Sequence, residues 1–358
     1  MASSIEPIVN PRELMVVLEY AIKNNWSVLI VGSPGQGKTQ IARQAAESAG
    51  ADFIPTHPPV HDPTTYQGMP AIVDQKNDDG HTTGKKAVFL PFGDLDRLIN
   101  AKKPTMFFMD DMGPAANLVQ GACMQLVCER EVNGHRIADC VTIVAATNKR
   151  SDKGGVRNMI EPLKNKFTFI IELVNTVDDM TLHSINLNWP HEIRAFMRTF
   201  PEVLNAFKPS PDLSNTPTCR GIEHCVDIFK SGINGKLRPR LFAGSIGTEY
   251  AIRLEGFLKF YKEIPDPDEV IKNPKEAEVP GVRGNGEIEN PGPLHALCGA
   301  LSARASEETI ENIMIYAERL PEEFNIALTL DSIRKDPNNL AKGRHWVDWN
   351  SNHQDILI

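Results

Sequence analysis

One octapeptide constrains this chain more than any other stretch of it. Gly32-Ser33-Pro34-Gly35-Gln36-Gly37-Lys38-Thr39 fits G-x-x-x-x-G-K-[ST] without a mismatch. An apolar run from Ser27 to Val31 precedes it, and a helical pattern from Lys38 to Ala49 follows, with Gly50 as its stop. A buried strand that feeds a glycine-rich turn and then a helix gathers backbone N–H groups around an anion, and the helix adds the positive end of its dipole. The ligand this pattern predicts is the phosphate chain of ATP with Mg²⁺. The loop residues Gly32 to Gly37 cradle the phosphates, Lys38 reaches the β- and γ-phosphates, and Thr39 ligates Mg²⁺.

Such a site needs a carboxylate at the end of a neighbouring strand. The apolar run Thr105 to Met109 ends in Asp110-Asp111. Asp110 is the expected Mg²⁺ ligand, and Asp111 stands where an acid that polarises the attacking water is wanted. A third apolar run, Val141 to Ala145, leads into Thr147-Asn148. Asn148 there either orients the attacking water, or reports whether the γ-phosphate is present, or simply opens a turn.

Around these motifs the first half alternates strands and helices. Asn10 caps a helix from Pro11, with Glu13 as its capping-box partner. Asp52 to Thr56 and Phe167 to Ile171 read as further strands, 94–100 and 117–129 as helices, and Asn133-Gly134 as a type I′ hairpin turn. Residues 57–92 are rich in Pro, Gly, Asp and Thr and read as a long loop excursion. Strands alternating with helices predict a parallel α/β sheet covered on both faces. After Glu172 helical patterns dominate: 178–188, 191–200, 218–231, 242–262, 294–304, 307–319 and 322–334. Segment 264–293 is Pro/Gly-rich and reads as an irregular arm. The expected division is an α/β nucleotide-binding core over 1–174 and a helical region over 175–358.

Composition narrows the functional classes. Acidic residues number 46 against 38 basic ones, a net charge of -8, which disfavours a protein held to nucleic acid by phosphate contacts. No apolar run approaches the ~18 residues of a membrane span, and residues 1–10 show no signal-peptide pattern. The six cysteines are scattered without metal-ligand spacing and read as reduced thiols of a cytoplasmic protein.

The order of motifs resembles the AAA+ ATPases, and within them the MoxR branch. Asp62-Pro63-Thr64-Thr65-Tyr66-Gln67-Gly68-Met69-Pro70 after the second strand carries that likeness, as do Asp110-Asp111-Met112-Gly113-Pro114-Ala115 and Ala145-Ala146-Thr147-Asn148. So does the stretch from Glu161 to Phe167. The resemblance implies a P-loop core with sheet order 5-1-4-3-2 followed by an α-helical lid. It also implies assembly as a homo-oligomeric ring, usually a hexamer, and chaperone-like remodeling of a protein substrate, commonly with a von Willebrand factor A partner. It assigns Arg220, in Asn215-Thr216-Pro217-Thr218-Cys219-Arg220, as the lid arginine that senses the phosphates. Two positions depart from the family pattern. Asp111 stands where many relatives have Glu, and Lys166 stands where they place the arginine that acts across the subunit interface. Either Lys166 serves, or Arg157 or Arg150 substitutes, or hydrolysis across the interface is weak. The 57–92 excursion and the 130–137 hairpin fall where relatives carry pore-facing inserts, which makes Tyr66 and Met69 candidates for substrate contact; packing of an irregular loop is the other reading. An ATP-driven remodeler is therefore the leading expectation. A nucleotide-gated structural ring with slow hydrolysis is the second, and a DNA-associated motor the third, its only basic support being Lys236, Arg238 and Arg240.

Overall fold

The computed structural model describes residues 6–76, 81–149, 152, 159–209, 212–261, 264–282, 288–342 and 344–353. The chain forms two compact units, one of residues 1–175 with 207–211, the other of 176–206 with 212–358.

In the first unit the strands are β1 (Ile8–Val9), β2 (Val28–Val31), β3 (Asp52–Thr56), β4 (Met69–Lys76), β5 (Thr82–Leu90), β6 (Thr105–Met109), β7 (Glu131–Val132), β8 (His135–Arg136), β9 (Val141–Thr147) and β10 (Phe169–Leu173). The helices are α1 (Pro11–Asn24), α2 (Lys38–Ser48), α3 (Thr64–Gln67), α4 (Gly93–Ile99), α5 (Asn117–Glu129) and α6 (Glu161–Lys164). A six-stranded sheet runs in the order β1-β10-β2-β9-β6-β3, with every pairing parallel. Counting the strands other than β1 in chain order, that is 5-1-4-3-2, the expected P-loop arrangement. β1 is an unexpected edge strand, too short to leave a pattern in the sequence.

Both faces of the sheet are buried, which is why its strands are apolar almost throughout. Val28, Ile30, Phe108 and Val144 pack on one side with Leu14, Leu18, Ile41 and Ala45 of α1 and α2. Leu29, Phe107 and Ile143 pack on the other with Leu95, Val119, Cys123 and Leu126 of α4 and α5. Alternate residues of a strand point to opposite faces, so β2 and β6 each serve both cores. The Asn10 capping box forms with both of its hydrogen bonds. The Asn133-Gly134 turn has φ of 49° and 83°, both positive as a type I′ turn requires.

Three expectations need correction in this unit. Residues 57–92 are not an irregular excursion, since β4 and β5 pair as an antiparallel hairpin from Met69↔Leu90 to Lys76↔Thr82. The alternation was hidden because β5 is exposed along nearly its whole length, so neither face needs an apolar stripe. The fifth core strand begins at Phe169, two residues later than expected, because Phe167 is buried among the residues packed around α5 instead. Tyr66 lies in α3 and is 1% exposed, so it is a core residue and not a surface contact; Met69 is exposed.

The second unit is helical: α7 (Val177–Asn186), α8 (His191–Thr199), α9 (Cys219–Lys230), α10 (Leu237–Ile246), α11 (Thr248–Tyr261), α12 (Pro267–Lys272), α13 (Pro291–Ala303), α14 (Ile310–Ala317), α15 (Glu322–Arg334), α16 (Pro337–Leu340) and α17 (Arg344–Asn352). The expected helix 242–262 is two helices, divided at Gly247, whose φ of 79° no helix accommodates. The expected arm 264–293 contains α12, capped by the Asp266 side chain. Two apolar clusters fill the unit, one around Ile193, Phe196, Phe242 and Leu254, the other around Leu297, Ile313, Tyr316 and Phe324.

Candidate functional site

Strand ends β2, β6 and β9 lie side by side, so the segments that follow them share one edge of the sheet, where open α/β folds place ligands. The loop after β2 turns through Gly35 and Gly37, with φ of 74° and 84°, and Gly37 is the residue before α2. A side chain at Gly32 has no room: a Cβ there would stand 2.6 Å from Gln36 Oε1 and 3.2 Å from the Leu173 carbonyl oxygen. The loop is pinned at both ends. Gly32 N–H donates to the Thr147 carbonyl at 3.2 Å, and the Asn175 amide donates to the Gln36 carbonyl at 3.3 Å. Ser33 and Pro34 complete the curl.

Lys38 is buried, 7% exposed. Its ammonium donates to the carbonyls of Gly32 at 2.7 Å and Ser33 at 3.1 Å and to Asn148 Oδ1 at 3.0 Å. A lysine is tolerated at this depth because all three of its N–H donors have oxygen acceptors. Thr39 Oγ1 donates to Asp110 Oδ2 at 2.6 Å, which sets a hydroxyl and a carboxylate together at the helix start. Both are hard oxygen ligands of the kind Mg²⁺ takes, supplemented by phosphate oxygens and water. The pair fits that ion in its chemistry, and Asp110's other oxygen is occupied by the Asp111 N–H at 3.0 Å.

Asp111 has a φ of 52°. That left-handed conformation is uncommon for residues other than glycine, and Asp and Asn are the side chains that enter it most readily. The backbone after Asp110 thus turns where a longer acid such as Glu is disfavoured. Met112 N–H then bonds the Ala146 carbonyl at 2.9 Å, which ties this turn to β9.

Behind Asp110 is a polar knot. Asp110 N–H donates to the Thr56 carbonyl at 2.9 Å. The Thr56 hydroxyl, the Tyr66 hydroxyl and His61 Nδ1 lie within 2.9–3.2 Å of one another. Burial pushes the Tyr66 phenol well above its usual titration range, so it stays protonated and available as a donor. The residue after Tyr66 continues the connection. Gln67's carbonyl accepts from the Asn133 amide at 2.8 Å, and His135 Nε2 lies 2.6 Å from the Phe89 carbonyl oxygen. The β7–β8 turn is thus stitched to the base of the β4–β5 hairpin.

Of the residues singled out in the sequence, the loop, Lys38, Thr39, Asp110 and Asn148 are joined by direct hydrogen bonds, and Asp111 follows Asp110 at the same strand end. Lys166 sits apart, exposed, between α6 and β10. Arg220 is exposed in the first turn of α9, whose cap is the Thr218 hydroxyl; it belongs to the second unit. Arg150 and Arg157 lie outside the described residues. Sequence reasoning missed Asn175 and the Thr56–His61–Tyr66 knot. Asn175 follows the apolar strand β10 as Asn148 follows β9, and the same test would have found it. The knot left no signal, because its members come from a strand, a turn and a short helix whose meeting depends on the fold. Among the described residues no group of three or more His, Cys, Asp or Glu is placed to hold a metal ion, and no helix is long and apolar enough to cross a membrane.

No protein-family model matches this sequence, and no curated protein matches it. Among solved structures, it is similar to the Thermotoga maritima RuvB Holliday junction branch migration motor at 18% identity, over 74% of this chain and 75% of that one, with a TM-score of 0.36. It is also similar to a putative ATPase from Cytophaga hutchinsonii at 12% identity, over 90% of this chain and 81% of that one, with a TM-score of 0.32. These likenesses are remote, and the α/β P-loop fold stands on the strand order and loop geometry above.

Proposed function

We propose that this chain binds ATP with Mg²⁺ at the Gly32–Thr39 loop and hydrolyses it. The observation that carries this reading is the convergence on one strand-end edge of a buried lysine, a hydroxyl–carboxylate pair and a strand-ending amide. In the proposed division of labour, Lys38 leaves the loop carbonyls for the β- and γ-phosphates, while Thr39 and Asp110 hold the ion. Asn148, already bonded to Lys38, orients water or senses the γ-phosphate, and Asp111 polarises the attacking water. Mg²⁺, when bound, supplies charge neutralisation at the phosphates.

We infer further a ring-forming, MoxR-type remodeler of a protein substrate. This finer assignment rests on the sequence resemblance. Two features are consistent with an assembly interface: exposed apolar side chains at the β1–β10 edge (Ile8 44%, Ile170 38%) and others on the β4–β5 hairpin (Ile72 73%, Leu90 46%). Lys166, exposed, is proposed to act on a neighbour's nucleotide, and Arg220 on that of its own subunit; a hexamer and a von Willebrand factor A partner follow from the family alone. Steady-state ATPase activity measured across protein concentration tests the assignment: turnover per subunit rises as rings form. Activity that is absent at every concentration, with ATP still bound, favours the second reading, a slow nucleotide-gated ring. Lys166 in place of arginine is the observation on that side, since lysine lacks the planar fork. A DNA motor is disfavoured by the net charge of -8.

A further inference from the structure

α5 buries Val119, Ala122, Cys123, Leu126 and Val127, and among them one amide, Gln120, which is 0% exposed. An apolar side chain would fill that place without the cost of desolvating an amide, so what distinguishes glutamine there is what it bonds. Its Nε2 donates to the carbonyls of Gly113 at 3.1 Å and Ala115 at 3.0 Å. Its Oε1 accepts from the Ile160 N–H at 2.8 Å. Two carbonyls at one end and an N–H at the other fix which way the amide faces.

Each end of this bridge leads to a residue of the proposed ATPase site. Gly113 and Ala115 belong to the turn that follows Asp111. The same turn is held from β9, because Met112 N–H donates to the Ala146 carbonyl at 2.9 Å and a Cβ at Gly113 would collide with the Thr147 hydroxyl. The left-handed turn at Asp111 is therefore gripped between α5 and β9. At the other end, Ile160 is the cap of α6. The Leu163 and Lys164 N–H groups return to the Ile160 carbonyl at 3.1 and 3.3 Å, and Lys166 N–H donates to the Leu163 carbonyl at 3.0 Å. The backbone at Lys166 is thus placed from Ile160 onward, and Leu163 and Phe167 anchor it in the apolar cluster that α5 shares.

We propose that Gln120 is a positioning residue that holds the Asp111 turn and the Lys166 segment as one body. The inference rests on the ATP-hydrolysing ring proposed above, in which Asp111 serves the chain's own nucleotide and Lys166 a neighbour's. With one buried amide bonded to both segments, a subunit gains or loses the two competences together.

The test compares two variants of the full chain. Gln120→Met keeps the length of the side chain and removes its hydrogen bonds. Ile160→Pro removes the N–H given to Gln120 and leaves the bonds to Gly113 and Ala115; the φ of Ile160, -63°, is where proline sits. In Gln120→Met, turnover at saturating ATP is expected to fall at least about tenfold, since a misplacement of about 1 Å costs up to about 10²-fold, while fluorescent-nucleotide affinity stays within about twofold. Mixed rings separate the two arms. Gln120→Met subunits are expected to recover no activity with either Asp111→Asn or Lys166→Ala subunits, because each mixture still depends on one impaired arm. Ile160→Pro subunits are expected to recover with Asp111→Asn and not with Lys166→Ala. Recovery of Gln120→Met with either partner confines it to one arm and overturns the proposal. So does wild-type turnover, or an equal fall in turnover and affinity, which marks a structural role. If Gln120→Met does not fold, Ile160→Pro decides: wild-type turnover, or no recovery with Asp111→Asn, overturns the proposal. Amide hydrogen exchange reads the same link without activity. Protection at Met112 and Lys166, whose own N–H groups bond elsewhere, is expected to fall together in Gln120→Met, and a fall at one alone overturns the proposal. A joint fall in a protein whose wild type shows no turnover refutes the ATPase reading and leaves the bridge standing.

Discussion

Lys38→Met separates what the lysine does for the fold from what it does for the nucleotide. Methionine keeps the apolar stem and removes the ammonium. Three acceptors lose their donor: the carbonyls of Gly32 and Ser33 and the Asn148 side chain. Only the Gly32 bond is fully buried, so water reaches the other two acceptors and the buried carbonyl dominates the cost. An unsatisfied buried acceptor costs about 1–3 kcal/mol, and part of that is recovered because a charged group no longer has to be desolvated. A net loss of about 1 kcal/mol is expected, which in a unit of this size lowers the melting temperature by roughly 2–4 °C. The effect on ATP should be much larger. Each charge-assisted bond from Lys38 to a phosphate is worth about 1.5–3 kcal/mol, and two of them make about 3–6 kcal/mol, or roughly 10²- to 10⁴-fold in affinity. Fluorescent-nucleotide titration and thermal melting of the same preparation read both quantities. Wild-type nucleotide affinity in a folded Lys38→Met protein would refute the loop assignment. A large stability loss would show instead that the lysine is chiefly a structural clamp on the loop.

Asp111→Asn should bind ATP and lose turnover, and it should stay folded, because Asn accepts the left-handed backbone at least as well as Asp; Asp110→Asn should weaken Mg²⁺-dependent binding itself, and identical behaviour of the two in binding and turnover assays would undo that division. Lys166→Ala should lower turnover with little change in nucleotide affinity, and mixing it with Asp111→Asn subunits should restore partial activity; no recovery in rings shown to be mixed would move the role away from Lys166. In the helical unit, His295 is neutral in the folded chain down to about pH 4, against an ordinary value of 6.5. The unfolded chain takes up that proton first, so the contribution is complete above pH 6.5 and is lost as pH falls toward 4, with a ceiling of about 3 kcal/mol. Asp331, raised by burial, pulls the opposite way, so the readout is the difference between wild type and His295→Gln in urea unfolding at pH 7 and 4.5: a gap that does not change with pH would contradict the assignment.

The sheet was legible because its strands are buried on both faces. An apolar run such as Thr105–Met109 has one plausible use, and its bounds in the structure are those expected. Helix α1 was legible for a different reason, since Asn10, Pro11 and Glu13 write its start in local chemistry. The β4–β5 hairpin was not legible, because exposure along β5 removes the period-two stripe by which a strand is read. The division of 242–262 into α10 and α11 depends on one glycine, and an isolated glycine in a helical pattern is as often tolerated as obeyed.

The proposed nucleotide site divides along the same physical line. Lys38, Thr39 and Asp110 were readable because phosphate chemistry fixes residue types and spacing within single segments. The Thr56–His61–Tyr66 knot and the Asn175 bond to the loop were not, because they depend on which strand ends become neighbours. That neighbourhood gives the site its rigidity. Asp110 is held at its backbone by Thr56 and at its carboxylate by Thr39 and its own chain, so its place beside the helix start does not depend on a bound ion. A site built this way can be emptied and refilled without rebuilding its ligands. Lys38 is the exception: its ammonium must give up loop carbonyls to reach a phosphate. The cost of that exchange sets how readily nucleotide is released. Asn148→Ala removes one acceptor that competes with phosphate for the ammonium, whereas Lys38→Met removes the ammonium itself, so the nucleotide off-rate should rise in Lys38→Met and not in Asn148→Ala, and stopped-flow displacement of a fluorescent nucleotide measures both. An Asn148→Ala off-rate equal to that of Lys38→Met would mean that the lysine acts only through the asparagine.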